Sequence, residues 1–309
     1  MAENVSKDIK DLIVRFVELY SNVPDLELDL CLNPQPWFMP LNNYEAKREA
    51  AHYFLLAASL SDHQLTGNPR NIRLLLNHLS TVFEDKLYTI KNPAELCGEI
   101  GKFEQKILTL DHLGQAKAEI PEVLCSVNQF VDKKASGDLI DYAAKLIQKG
   151  RKPRDLVEQL SYTVKRMNKQ HKAKSWLYLR WMVRSSPDLR LFQFDPKDLM
   201  VPLTTPKFIV FAALGFSDNE NLPFELNAKN KPESWWKCTA EFDVDANRLT
   251  QFARSLFPND PAKIDFPVRL THPGDFFHPT GESFVLSFAA GSFYFHGDTG
   301  HKSVSSHEE

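Results

Sequence analysis

The sequence predicts an all-α protein with a short β-hairpin near its C-terminal end. Three observations carry that prediction. Apolar residues recur at helical spacing, beginning with Ile9, Leu12, Ile13, Phe16, Val17 and Tyr20. Glycine is scarce, 12 in 309 residues, which argues against a chain of many tight turns. No strand–helix–strand alternation, internal repeat or low-complexity tract interrupts the pattern. The length suits one larger helical body with appended ends. Residues 1–42 read as an N-terminal helix and a Pro-rich loop, 43–274 as the main body, and 275–309 as an aromatic hairpin with a polar tail.

Each element has a local reason. Residues 5–20 form an amphipathic helix, and NPQPWFMP at 33–40 forms a loop. Residues 43–61 are Ala-rich and strongly helical. Asn68 caps the next helix with Pro69 in its first turn, running to about Phe83. Asn92 and Pro93 open another in the same way, and helical stretches continue to 148. Gly150 ends that run and Pro153 opens the next helix. Residues 172–185 are an amphipathic helix, and Pro202 precedes the apolar TPKFIVFAALGF. Residues 244–257 and 260–270 complete the body. Phe284–Phe288 and Phe293–Phe295, separated by Ala-Ala-Gly-Ser, predict the hairpin.

Composition excludes several classes of protein. Cys31, Cys97, Cys125 and Cys238 form no CxxC pair, so a zinc ribbon is not expected and a reduced cytoplasmic setting is. No window has the apolar length of a membrane span, and the first residues lack the apolar core of a signal peptide. No nucleotide-loop, zincin or serine-hydrolase motif occurs, and neither a metal nor a cofactor is expected. His278, His296 and His301 match no metal-ligand spacing.

Charge is unevenly spread. Between Lys145 and Arg190 there are thirteen Lys and Arg against three acids. That segment is therefore +10 and the remainder −13 within a net charge of −3. A basic stretch on an acidic body suits a polyanion, and it also suits a solvated helix face.

Three ordered motifs point further: LYLRWMVRSSPDLRLF (177–192), PLTTPKFIVFAALGF (202–216) and PNDPAKIDFPVRL (258–270). Together they resemble a helix-hairpin-helix DNA glycosylase relative. One branch carries motifs of the form CKRLNLFLRWMVR, PLDTH and DPxKYDFAL. The other is the archaeal glycosylase family that removes 8-oxoguanine, whose SYQL segment is similar to SDHQLTGNPRNI (61–72). The resemblance covers about residues 45–272 and implies an all-α glycosylase-like fold, a DNA partner and excision chemistry.

That chemistry needs a lysine and an aspartate. The lysine attacks the sugar C1′ as a neutral amine, and the carboxylate stabilises the charge that develops. The resemblance puts the lysine seven residues before Arg180, at Ala173, with Lys172 and Lys174 on either side. Either lysine is a candidate. The aspartate position is occupied by Thr204, which carries no charge. Losing one such electrostatic group costs on the order of 10² to 10³ in rate. Weakened or lost lyase chemistry is the simplest expectation.

The resemblance also implies a base pocket with Ser61, Gln64 and Asp265, the last able to accept from guanine N–H groups. Ile72 replaces an aromatic of the family's pattern, and Arg269 replaces a Trp. The glycine-rich hairpin is missing, since no Gly occurs between Gly150 and Gly215. RMNKQHKAK (166–174) takes its place, so Arg166, Lys169, His171 and Lys172 are the expected DNA contacts. Two non-enzymatic alternatives remain: a nucleic-acid-binding scaffold on the same fold, and an adaptor whose basic face meets an acidic protein. The sequence identifies no protein partner.

Overall fold

The computed structural model describes residues 7–20, 41, 43–66, 72, 74–76, 79, 113–186, 188–203, 242–265, 284–289 and 292–297. The helices are α1 (Lys7–Tyr20), α2 (Tyr44–Leu60), α3 (His63–Thr66), α4 (Ile120–Lys133), α5 (Leu139–Gln148), α6 (Pro153–Thr163), α7 (Lys169–Val183) and α8 (Phe242–Leu256). The described body is all-α, as expected. Beyond it, β1 (Phe284–Ala289) and β2 (Ser292–Gly297) pair antiparallel, with Phe284 opposite Gly297.

Helix α2 is the centre of the body. Asn43 caps it by accepting from the Ala46 amide at 2.8 Å. Its residues from Ala50 to Leu60 are all buried, so no polar face is left and the helix must be surrounded. It packs against α4, α5 and α7. Each large apolar side chain buried there contributes about 1.5–3 kcal/mol relative to exposure.

Of the helical stretches expected over 94–148, the described residues, from 113 on, contain α4 and α5. Helix α4 ends at Lys133, and Ser136 and Gly137 turn the chain with φ of 52° and 83°. Asp138 then caps α5 by accepting from the Ile140 and Asp141 amides, both at 2.9 Å. Pro153 opens α6, where Asp155 accepts from the Lys152 amide at 2.8 Å.

Helix α7 carries LRWMVR through the middle of the molecule. Trp176, Tyr178, Leu179, Trp181 and Met182 are buried, and Trp181 meets Phe54 of α2 edge-on at 5.8 Å. The Tyr178 hydroxyl donates to the Ala51 carbonyl at 3.0 Å. Helix α7 packs on α2 and α6 and touches α8. Val201, Leu203, Ala246, Leu249, Phe252, Ala253 and Ile264 form a second core, joined to the first through Met200.

Of the helix expected over 260–270, the described part opens as a 3₁₀ turn at Pro261–Ile264 and continues into a helical Asp265, and 266–270 lie outside the described residues. Pro261 fits the first position of such a turn, and Asp265 follows as its last described residue. Residues 205–216, Asn92, Pro93, Trp235, Trp236, Pro267 and Arg269 lie outside the described residues. Among the described residues, no helix is long and apolar enough to cross a membrane.

Candidate functional site

Residues 164–168 link α6 to α7. Arg166 in this link and Lys172 in the first turn of α7 adopt φ of 73° and 65°, values that cost an L-residue roughly 1–2 kcal/mol each. Side chains hold this shape. Ser126 Oγ accepts from the Lys165 amide at 2.9 Å, and Ser175 Oγ donates to the Met167 carbonyl at 3.0 Å. Ser175 also meets Ser161 of α6 at 3.1 Å.

The two candidate lysines point differently. Lys172 is about one-third exposed and pairs with Glu158 of α6 at 2.5 Å. The Lys174 side chain is only 10% exposed. Its ammonium donates to the Ser59 carbonyl and to Asp62 Oδ2, both at 3.2 Å. Ala173 is buried in the wall between them. The backbone thus directs one lysine of the pair outward and the other toward the end of α2.

Asp62 is the centre of the inner cluster. Its Oδ1 accepts from the Gln64 amide at 2.9 Å, and its Oδ2 also accepts from Arg166 Nη1 at 3.0 Å. Burial by itself would raise the Asp62 pKa, but Lys174, the Gln64 amide and Arg166 outweigh it and hold the carboxyl below its ordinary range. Asp62 is therefore ionised near neutral pH. It stabilises positive charge and is a poor proton acceptor.

Arg166 closes the cluster. Nη1 donates to Gln64 Oε1 at 2.9 Å, while Nε and Nη2 form a two-pronged bond to Glu119 at 2.9 and 2.5 Å. Burial disfavours its charge, yet Glu119 and Asp62 more than compensate and raise its pKa. This guanidinium, 3% exposed, faces inward. A phosphate contact from Arg166 does not fit that placement, because its donors already meet carboxylates and an amide. The side chains of Lys169 and His171, and all of Thr204, lie outside the described residues.

Ser61 is half-buried at the end of α2, where its amide bonds to the Ala57 carbonyl. Ile72 is 2% exposed and belongs to the main core. Asp265 does not face an opening. Its carboxylate pairs with Arg180 Nη1, and both side chains are fully buried. Arg180 Nε also lies 3.8 Å from Asp188, and Arg184 bonds Asp188 and Asp260 at 2.8 and 2.7 Å. The motif residues therefore pair with one another. A buried carboxylate needs a cation, and LRWMVR supplies it.

The basic segment is also answered by acids, several from outside it. Lys145 pairs with Asp141, Arg151 with Asp155, Lys152 with Asp198, and Arg154 with Glu158. Lys165 pairs with Glu122 and lies 3.7 Å from Glu119. The local +10 of the sequence is thus largely balanced in space. Asp195 caps the Pro196–Asp198 turn and pairs with Lys197, as its FDPKD setting suggests.

Asp62 and Glu119 carry no signal in the sequence, because their partners are 47 to 112 residues away. Asp62 stands inside the SDHQL segment, but nothing local marks it above its neighbours. Among the described residues, no group of three His, Cys, Asp or Glu is placed to hold a metal ion.

No curated protein and no solved structure matches the chain. One family does, over residues 102–274, which include α4 to α8, Arg166, Lys174 and the Arg180–Asp265 pair. With more than half of its length matched, the chain belongs to the family described as protein of unknown function (DUF2400).

Proposed function

We propose that the protein acts on DNA as a base-excision-repair-type enzyme, 8-oxoguanine glycosylase/AP lyase-like, on a helix-hairpin-helix scaffold with an appended C-terminal hairpin and in a reducing, cytoplasmic setting. The observation that carries the proposal is the Lys174–Asp62 contact: a sheltered amine at the start of a helix, 3.2 Å from a carboxylate. Lys174 fits the nucleophile better than Lys172, whose ammonium lies at the surface with Glu158. Asp62 offers the negative charge that Thr204 cannot.

Lys174 gives up a proton to solvent, and its neutral amine bonds to the sugar C1′ as the C1′–base bond breaks, its electron pair leaving on the base, which takes up a proton. The attacking nitrogen then loses its extra proton to solvent, and the C1′–O4′ bond opens to the iminium as O4′ takes up a proton. Asp62 stays ionised and stabilises the positive sugar and then the iminium. Surface ion pairs such as Lys172–Glu158 are worth only about 0–1 kcal/mol, so phosphates can displace the acids from the basic face.

The test is borohydride trapping on oligonucleotides carrying an abasic site or 8-oxoguanine. The expected result is an adduct that Lys174→Met abolishes and Lys172→Ala retains. Absence of an adduct from wild type overturns the enzymatic assignment. If DNA is then still retained, the scaffold alternative holds. An adduct restored only by Thr204→Asp means that the scaffold persists without its chemistry.

A further inference from the structure

A lysine held by an ionised carboxylate keeps its proton, whereas a nucleophilic amine must lose it. The structure contains a group that works against that hold. Arg166 Nη1 and Lys174 Nζ both bond Asp62 Oδ2, at 3.0 and 3.2 Å. The two cationic nitrogens are therefore no more than about 6 Å apart, close enough for strong like-charge repulsion in a sheltered site. Arg166 also draws on the oxygen that would otherwise serve the ammonium alone.

We infer that Arg166 is a positioning residue for the proposed reaction, loosening the Lys174 proton by its charge and by sharing the Asp62 oxygen. The inference rests on the lyase-like function proposed above and adds to it the group that prepares the amine. Glu119 is the counterweight. Its two-pronged bond neutralises part of the Arg166 charge and fixes the guanidinium in direction. The pair makes a setting that can be moved both ways.

Among the described residues, the neighbouring charges pair with one another. Lys165 stands behind Glu119, at 3.7 Å, and pairs with Glu122 at the start of α4. Lys172 and Glu158 balance each other at the surface of α6. On α2, Ser59 contributes a neutral carbonyl. Toward α8, Arg180 and Arg184 are met by Asp265, Asp188 and Asp260.

The experiment follows imine formation with an abasic-site oligonucleotide against pH, from about pH 6 to about pH 10. The Lys174 amine and the C1′ aldehyde form an imine and release water. Borohydride hydride reduces the imine to a stable secondary amine. Arg166→Gln removes the repelling charge, so its pH midpoint moves about one unit toward alkali. Glu119→Gln leaves the Arg166 charge less neutralised, so its midpoint moves toward acid. Opposite shifts support the inference, because a merely structural role lowers the yield without moving the midpoints apart. Should Arg166→Gln fail to fold by circular dichroism, the acid shift of Glu119→Gln alone decides. Midpoints equal to that of wild type, or shifted in the wrong direction, overturn the inference and leave Lys174 as nucleophile. No wild-type adduct at any pH overturns the proposed function and the inference with it.

Discussion

Asp265→Ala removes a carboxylate that meets Arg180 where both side chains are fully buried. The guanidinium stays behind with Asp188, 3.8 Å from its Nε, and with one counter-charge fewer. Breaking a buried ion pair from one side typically costs about 3–5 kcal/mol. The whole stability of a folded chain is only about 5–15 kcal/mol, so the loss is a large share of it. Had Asp265 faced an open base pocket, the same change would cost within about 0.5 kcal/mol. Urea denaturation followed by circular dichroism and tryptophan fluorescence separates the two cases. The double change Arg180→Met with Asp265→Leu leaves neither charge of the pair buried and recovers most of the loss. A single-variant loss below about 1 kcal/mol would refute the structural role of the pair.

Two further expectations follow from the packing. His52 is buried on α2 against Asn128 of α4 at 3.0 Å, and burial lowers its pKa from 6.5 to about 4 despite the Asn128 bond. The unfolded chain therefore binds this proton first, so stability is complete above about pH 6.5 and declines toward about pH 4, by about 3 kcal/mol in all. Denaturation midpoints measured across that window check the slope, and His52→Gln flattens it. Asp138→Ala removes the cap of α5 and costs about 1 kcal/mol. The same change lowers the titration of Tyr44, whose hydroxyl is pushed up to about 12 by burial and by its 2.8 Å bond to Asp138; ultraviolet titration reads it.

Local structure was legible because its causes are local. Asn43 marks a helix start through a hydrogen bond that reaches only three residues, and Pro153 marks one through its fixed φ in the first turn. Trp176, Tyr178, Trp181 and Met182 stand at the helical spacing of a core face, and all are buried. The described start of the segment 260–270 is a 3₁₀ turn whose flanking Asp260 and Asp265 pair with Arg184 and Arg180, partners too far along the chain for periodicity to reveal. The inner cluster was legible in part. Lys174 and Gln64 stood out by position, whereas Asp62 and Glu119 did not, since an acid becomes significant only when folding brings a cation to it. Asp265 was noticed for its chemistry and placed wrongly, because a motif shows that a residue matters without showing to what. Arg166 illustrates the same limit: a cation in a basic run reads as surface until its burial is known.

The turn between α6 and α7 has one more consequence. A glycine turn keeps its shape because its backbone is at ease there, whatever surrounds it. Here Arg166 in the turn, and Lys172 just beyond it in the first turn of α7, occupy left-handed conformations that their own backbones disfavour, and their side chains bond carboxylates of Asp62, Glu119 and Glu158. The shape of this turn is therefore conditional on charge. A polyanion arriving at Lys172 competes with Glu158 for the same ammonium, and whatever releases that contact also releases the backbone to relax. In a glycine hairpin, binding and loop shape are independent. In this one, they are a single equilibrium.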